Sequence, residues 1–163
     1  MELKFRVFAN ISTPIHEVFE AVADPAKLSC YFTTGGAKGR IEKGATVTWD
    51  FADFPGAFPV HVIEVVPDQR IVLRWAAADG EQIKEGGKVE VTDAGYDTTV
   101  TMSFKPVDGD ANRTVVEIAE EGWRETAAGL KASYGNCMGW SQMLAALKAW
   151  LEHGVNLREG MYV

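Results

Sequence analysis

The 163-residue chain has only two cysteines and three histidines, and none of them stands at the spacing of metal ligands. A His or Cys metal site needs close pairs such as H-x-x-x-H or C-x-x-C, so that class of chemistry finds no support here. Cys30 and Cys137 lie far apart in apolar surroundings. They exclude the dense disulfide framework of a small secreted domain and read as small buried hydrophobes in a reduced cytosol. No apolar run approaches the roughly 18–20 residues of a membrane span. The start, Met1-Glu2-Leu3-Lys4-Phe5-Arg6, lacks the basic and unbroken apolar stretches of a signal peptide. Positive charge is scarce as well: 16 Lys and Arg face 23 Asp and Glu, for a net charge of −7. That balance argues against nucleic acid or an anionic membrane surface as a partner. There is no G-x-S-x-G nucleophile elbow. The glycines of Gly35-Gly36-Ala37-Lys38-Gly39-Arg40 run into a strand and not a helix. Without a helix N-terminus they form no phosphate cradle and read as a flexible connection.

Apolar residues are plentiful, at 47%, and their spacing is informative. Leu3, Phe5, Val7 and Ala9 alternate with polar residues, the period of a half-buried strand. Thr13-Pro14 reads as an N-cap followed by proline at the first helical position, and Ile15, Val18, Phe19 and Val22 follow at helical spacing. Asp24-Pro25 restarts the pattern, so two short helices are expected at about residues 14–23 and 25–31. Alternating runs then follow at Val47-Trp49-Phe51, Val60-Val62, Ile71-Leu73-Trp75, Val89-Val91, Val100-Met102-Phe104 and Val115-Glu117-Ala119. Turn residues separate them, which predicts an antiparallel meander of about six strands. Near the end, Cys137, Trp140, Leu144, Leu147 and Leu151 form one helical face, widened by Met143 and Trp150 and closed by Gly154 as a C-terminal cap. The less apolar stretch from about Glu125 to Asn136 leads into it. The fold class is α+β in a single domain over residues 1–163, with the last helix covering one face of a curved sheet.

Several of these features, taken in order, resemble the bacterial homologues of the heat-shock protein 90 ATPase activator. They are the Thr13-Pro14 helix start with Val18-Phe19, the Asp24-Pro25 step to Tyr31-Phe32, Glu121-Gly122-Trp123, and the ending from Gly139-Trp140 to Leu151-Glu152 and Gly154. That family belongs to the START-like, helix-grip (SRPBCC) superfamily shared with the birch pollen allergen and polyketide cyclases. The resemblance spans the chain. It implies a curved antiparallel sheet of about six to seven strands wrapped around a long C-terminal helix, with a ligand cavity between them and Glu121-Gly122-Trp123 as architecture. Two segments depart from the family pattern: Gly80–Asp97 looks inserted between strands, and Asp53-Phe54-Pro55-Gly56-Ala57-Phe58 is an unmatched apolar turn.

The expected ligand-binding residues are Trp49, Phe51, Trp75, Met102, Phe104, Trp140, Met143, Leu144 and Leu147. Their character calls for a small hydrophobic or aromatic molecule as partner, with no cofactor. The bland alternative is a filled core. A second reading, implied by the resemblance, is a protein-interaction domain whose partner is a chaperone or other protein, with a role in stress response. An enzyme of cyclase or hydrolase type would rest on His61, Asp50 or Asp53, but no acid–base pair stands together. His16 and His153 read as solvated, His153 beside the negative end of the last helix. Phe54 and Phe58, next to prolines, are candidates for a homodimer surface.

Overall fold

The computed structural model describes residues 1–52, 54–83, 89–92 and 94–161. Strand β1 (Leu3–Ile11) is followed by helices α1 (Ile15–Ala23) and α2 (Pro25–Leu28). Strands β2 (Gly36–Lys38), β3 (Thr46–Phe51), β4 (Phe54–Val66), β5 (Arg70–Ala76), β6 (Gly80–Ile83), β7 (Val89–Thr92), β8 (Asp97–Val107) and β9 (Asp110–Trp123) come next, and helix α3 (Ala127–His153) closes the sequence of elements. Seven strands form one antiparallel, curved sheet in the order β1-β9-β8-β5-β4-β3-β2. The α+β helix-grip architecture is therefore as expected.

Strands β6 and β7 stand apart in the pairing. Strand β5 pairs directly with β8, while β6 and β7 make a separate two-stranded sheet. Val89-Val91, expected within the meander, thus leaves the main sheet. Three further expectations need correction. The chain around Gly36 is not a loose connection: Gly36–Lys38 pairs with Thr48–Asp50, and Arg40 donates two hydrogen bonds to Glu20 at 2.9 and 2.6 Å. Thr13 does not cap α1, which starts after Pro14 with no side-chain cap; Thr13 is buried and its carbonyl accepts from the Thr114 hydroxyl at 2.8 Å. The short α2 ends at Leu28 and is capped by Asp24, whose carboxylate accepts from the Ala26 amide at 2.9 Å.

The last strand faces the opposite way from its reading as Val115-Glu117-Ala119. Its register sets Val116, Ile118 and Glu120 opposite Phe104, Met102 and Val100. Those six are buried, whereas Glu117 reaches the outer face and meets Arg6 at 3.3 Å. Because side chains alternate strictly along a strand, this change of phase turns every residue over.

Helix α3 begins earlier than its apolar stripe suggests. Thr126 caps it, accepting from the Gly129 amide at 3.0 Å, so the weakly apolar lead-in is helical too. Gly154 ends it in the left-handed conformation at φ 68°, where glycine carries no Cβ penalty. Trp140, Met143, Leu144, Ala146 and Leu147 are buried on the sheet side. Lys148 and Glu152 tie the far end to β1, through the Asn10 carbonyl at 2.9 Å and the Ser12 amide at 2.6 Å. The cysteines are not core residues: Cys30 is exposed at the turn after α2, and Cys137 sits half-buried on the flank of α3. Among the described residues no helix is long and apolar enough to cross a membrane.

Three glycines of α3 give a clean test of this packing. A Cβ at Gly129 would run into the Arg124 carbonyl oxygen, while one at Gly135 or Gly139 would meet nothing within 4 Å. Gly129→Ala should cost about 2 kcal/mol or more, as a backbone collision does. Gly135→Ala should instead stabilise by about 0.5–1 kcal/mol through helix propensity alone. Urea denaturation of the two variants checks the opposite signs.

Candidate functional site

The concave face of the sheet and the inner face of α3 meet in six aromatic rings. Trp140 of α3 stands 5.3 Å from Trp75, 5.6 Å from Phe32 and 6.4 Å from Trp49, centroid to centroid. The contacts continue from Phe32 to Phe51 at 5.0 Å, from Phe51 to Phe58 at 5.8 Å and from Phe58 to Trp75 at 5.7 Å. Local structure explains the convergence. Trp49 and Phe51 are alternate residues of β3, Trp75 ends the inner row of β5, and the turn after α2 brings Phe32 over them. Edge-to-face and offset contacts at these distances are the favoured arrangements of aromatic pairs.

Beneath the rings lies Glu120, wholly buried. One carboxylate oxygen accepts from Trp75 Nε1 at 2.9 Å, Thr98 Oγ1 at 2.6 Å and Asn136 Nδ2 at 3.0 Å. The other accepts from Trp140 Nε1 at 2.8 Å and Asn136 Nδ2 at 3.1 Å. Trp75 and Thr98 are direct partners across β5 and β8, while Asn136 and Trp140 are one turn apart on α3. The carboxylate therefore joins helix to sheet using neutral donors only, and it orients two of the six rings.

All nine expected ligand-binding residues lie in the interior between α3 and the sheet. Trp49, Phe51, Trp75 and Trp140 belong to the ring cluster. Met102, Phe104, Met143, Leu144 and Leu147 lie in the buried core around it, Phe104 against Phe19 of α1 at 5.4 Å. The rings touch one another, so this end of the interior is packed. Beside it, a cleft of about 210 Å³ opens between Ala78-Asp79 and Ala128, Lys131 and Ala132 of α3, one turn before Asn136. A wider groove of about 770 Å³ lies among Arg74, Tyr96, Asp97 and Arg124.

Sequence reasoning missed Phe32, Phe58, Thr98, Glu120 and Asn136 as parts of this arrangement. The signal for Glu120 was the alternative phase Thr114-Val116-Ile118-Glu120. For Asn136 it was the spacing of four to Trp140. The other candidates lie elsewhere. His61 is exposed on β4 with its ring against Thr46 Oγ1 at 3.1 Å, and Asp50 reaches toward the Gly56 amide at 3.4 Å. His16 and His153 are exposed, as expected, His16 beside Asp68 at 3.0 Å. Asp53 and the Phe54 side chain fall outside the described residues. Among the described residues no group of His, Cys, Asp and Glu is arranged to hold a metal ion.

Residues 12–152 match the family described as Activator of Hsp90 ATPase homolog 1-like protein. A crystal structure of a protein from Staphylococcus saprophyticus is similar, with 24% identity, a TM-score of 0.71 and coverage of 96% of both chains. The solution structure of the Aha1 dimer from Colwellia psychrerythraea is 19% identical at a TM-score of 0.68, covering 93% of this chain and 98% of that one. DynU16, a protein in the dynemicin biosynthetic locus, is 22% identical at a TM-score of 0.69, covering 93% of this chain and 48% of its own. No curated protein matches.

The electrostatics of Glu120 set burial against hydrogen bonding. Removal from water raises its pKa above the ordinary carboxylate value of 4.5, and the bonds from Thr98, Trp75, Trp140 and Asn136 oppose that rise. With burial dominant, the group's contribution to stability is fully present below pH 4.5 and declines as pH climbs through the raised value. Glu120→Gln has no such titration. The stability of the natural protein relative to Glu120→Gln should therefore shrink as pH rises from 4.5 toward neutrality in urea denaturation; a difference that grows would mean the donors outweigh burial. Glu120→Ala, which strands four donors, should cost about 3 kcal/mol or more at low pH, where the contribution of the group is fully present.

Proposed function

Because the chain belongs to the Activator of Hsp90 ATPase homolog 1-like family, we propose that it is a small-molecule binding protein that takes an apolar or aromatic ligand between α3 and the concave sheet. The observation that carries this reading is Glu120 holding the indoles of Trp75 and Trp140. A core that needed only filling would place an apolar side chain there, since burying a carboxylate costs several kcal/mol before its bonds offset the loss. Held rings instead make a wall of fixed orientation, the kind of surface that recognises a flat apolar molecule. Glu120 positions the rings and performs no proton transfer in this reading, because both its oxygens are engaged by protein donors. His61 and Asp50 do not face the rings, which weighs against an enzyme.

A specific observation favours a second reading, docking of another protein on the outside of α3. Leu130, Tyr134 and Met138 recur every four residues, and the last two are 67% and 58% exposed. Such a stripe is unusual on a helix whose other face is already covered. The partner would be a chaperone, another protein or a second copy, and a similar fold is known as a dimer.

The two readings separate experimentally. Native mass spectrometry of the purified protein should show a bound small molecule, and titration with the neutral dye Nile red should saturate. Trp75→Ala, if still folded by circular dichroism, should weaken dye binding about ten-fold or more, as loss of one buried aromatic contact does. Tyr134→Ser should leave it unchanged. A protein that carries no ligand and binds no dye, yet self-associates in sedimentation velocity unless Tyr134 is changed, would reverse the order of the readings.

A further inference from the structure

The donors around Glu120 are spent unevenly. Trp75, Trp140 and Thr98 each give it the one N–H or O–H their side chain has. Asn136 gives its amide nitrogen, 3.0 Å from Oε1 and 3.1 Å from Oε2. Each of those oxygens already meets an indole N–H, so both face Asn136 as acceptors and fix its amide with Nδ2 inward. Oδ1 is thereby turned away from Glu120. It accepts no hydrogen bond among the described residues, and it is not one of the polar atoms sealed from solvent without a partner. The network thus keeps one carbonyl in reserve.

Space adjoins that carbonyl. Ala128, Ala132 and Asn136 stand at successive turns of one row of α3, and the first two line the cleft of about 210 Å³ opposite Ala78 and Asp79. Helix side chains lean toward the N-terminus, so that of Asn136 leans back over Ala132, toward the cleft. Three alanines among its lining residues leave the space unfilled. Its volume is below the roughly 300–1,000 Å³ of sites for drug-sized ligands, which suits a molecule of one or two rings. Asp79 and Lys131 also line it, and the Asp79 carboxylate accepts from the Tyr96 hydroxyl at 2.6 Å. On the Phe32 and Phe51 side the cluster is covered, since the Arg158 guanidinium lies over both rings, 5.9 and 5.6 Å from their centroids.

We propose that Asn136 selects the ligand: the cleft takes a small, flat aromatic molecule bearing a hydroxyl or N–H group, and Asn136 Oδ1 accepts the hydrogen bond from it. The inference rests on the ligand-binding reading above and names the class of molecule within it. Nδ2 holds the Glu120 network while Oδ1 reads the ligand. A molecule of the same shape without the donor strips water from that carbonyl and returns nothing, so the site rejects it more strongly than one bond gained would suggest.

The first test needs no variant. Indole and indene share shape and ring system, and only indole can donate. Isothermal titration of the natural protein should show indole bound about ten-fold more tightly than indene, the effect of one hydrogen bond made or left unmade. Equal affinities overturn the inference and leave the ligand-binding reading standing, as does failure of both probes while Nile red saturates. If Nile red fails as well, both readings fall. Two variants then locate the acceptor. Asn136→Ala, if still folded by circular dichroism, should bring indole and indene to parity. A role confined to holding Glu120 would weaken both probes alike and keep their ratio, which overturns the inference. Ala132→Leu fills the cleft and leaves every Glu120 donor in place; it should weaken indole about ten-fold or more, and unchanged affinity overturns the inference. Should Asn136→Ala not fold, Ala132→Leu and the ratio in the natural protein decide.

Discussion

The carboxylate of Glu120 is the point at which helix and sheet agree on their relative position. It lies on β9, one strand in from the sheet edge, is wholly buried, and receives every one of its side-chain hydrogen bonds from a neutral donor on β5, β8 or α3. No cation compensates it among these contacts, so its energetics are a contest between lost hydration and directional bonds. Apolar packing alone lets a helix slide or rotate over a sheet at small cost. Bonds to Asn136 Nδ2 and Trp140 Nε1 remove that freedom, because moving α3 along its axis would leave donors unpaired in the interior. The far end of α3 needs no such device, since Lys148 and Glu152 tie it to β1 at the surface.

The ring cluster follows from that constraint. With the indoles of Trp75 and Trp140 held by Glu120, Trp49, Phe32, Phe51 and Phe58 pack around two fixed planes. The result is an interior rich in flat apolar surface, with its polar group at the bottom and a cation at the outer end. The two indole N–H groups, which would otherwise address a ligand, are already used. Family membership and fold are consistent with a ligand-binding helix-grip domain.

The outside of the molecule presents a different surface. Arg40 of the Gly35–Arg40 stretch is drawn into local structure through Glu20, and the chain carries a net charge of −7. What the outer face of α3 offers is apolar: Leu130, Tyr134 and Met138. Helix α3 thus has two different faces, one packed into the ring cluster and one carrying an exposed apolar stripe.

Composition and periodicity were sufficient for the α+β plan, for the opening strand, for the stripe Trp140-Met143-Leu144-Leu147 and for the Gly154 cap, because each depends on neighbours a few residues away. The interior position of the nine candidates was legible for the same reason: large apolar side chains at alternate positions must go inside. Glu120 was not legible, because residues 115–120 support two phases of alternation and local pattern cannot choose between them. Pairing with β8 chose, by setting Val116 and Ile118 against Phe104 and Met102. Whether the interior is open or packed was equally undecided, since that depends on how rings from five separate stretches of chain interlock. The placement of Arg158 over Phe32 and Phe51 lies further still from the sequence, joining residues more than a hundred positions apart. Patterns that repeat within a turn or a pleat belong to the sequence by itself. Which buried group meets which, and what lies over it, is decided only when distant segments compete for the same space.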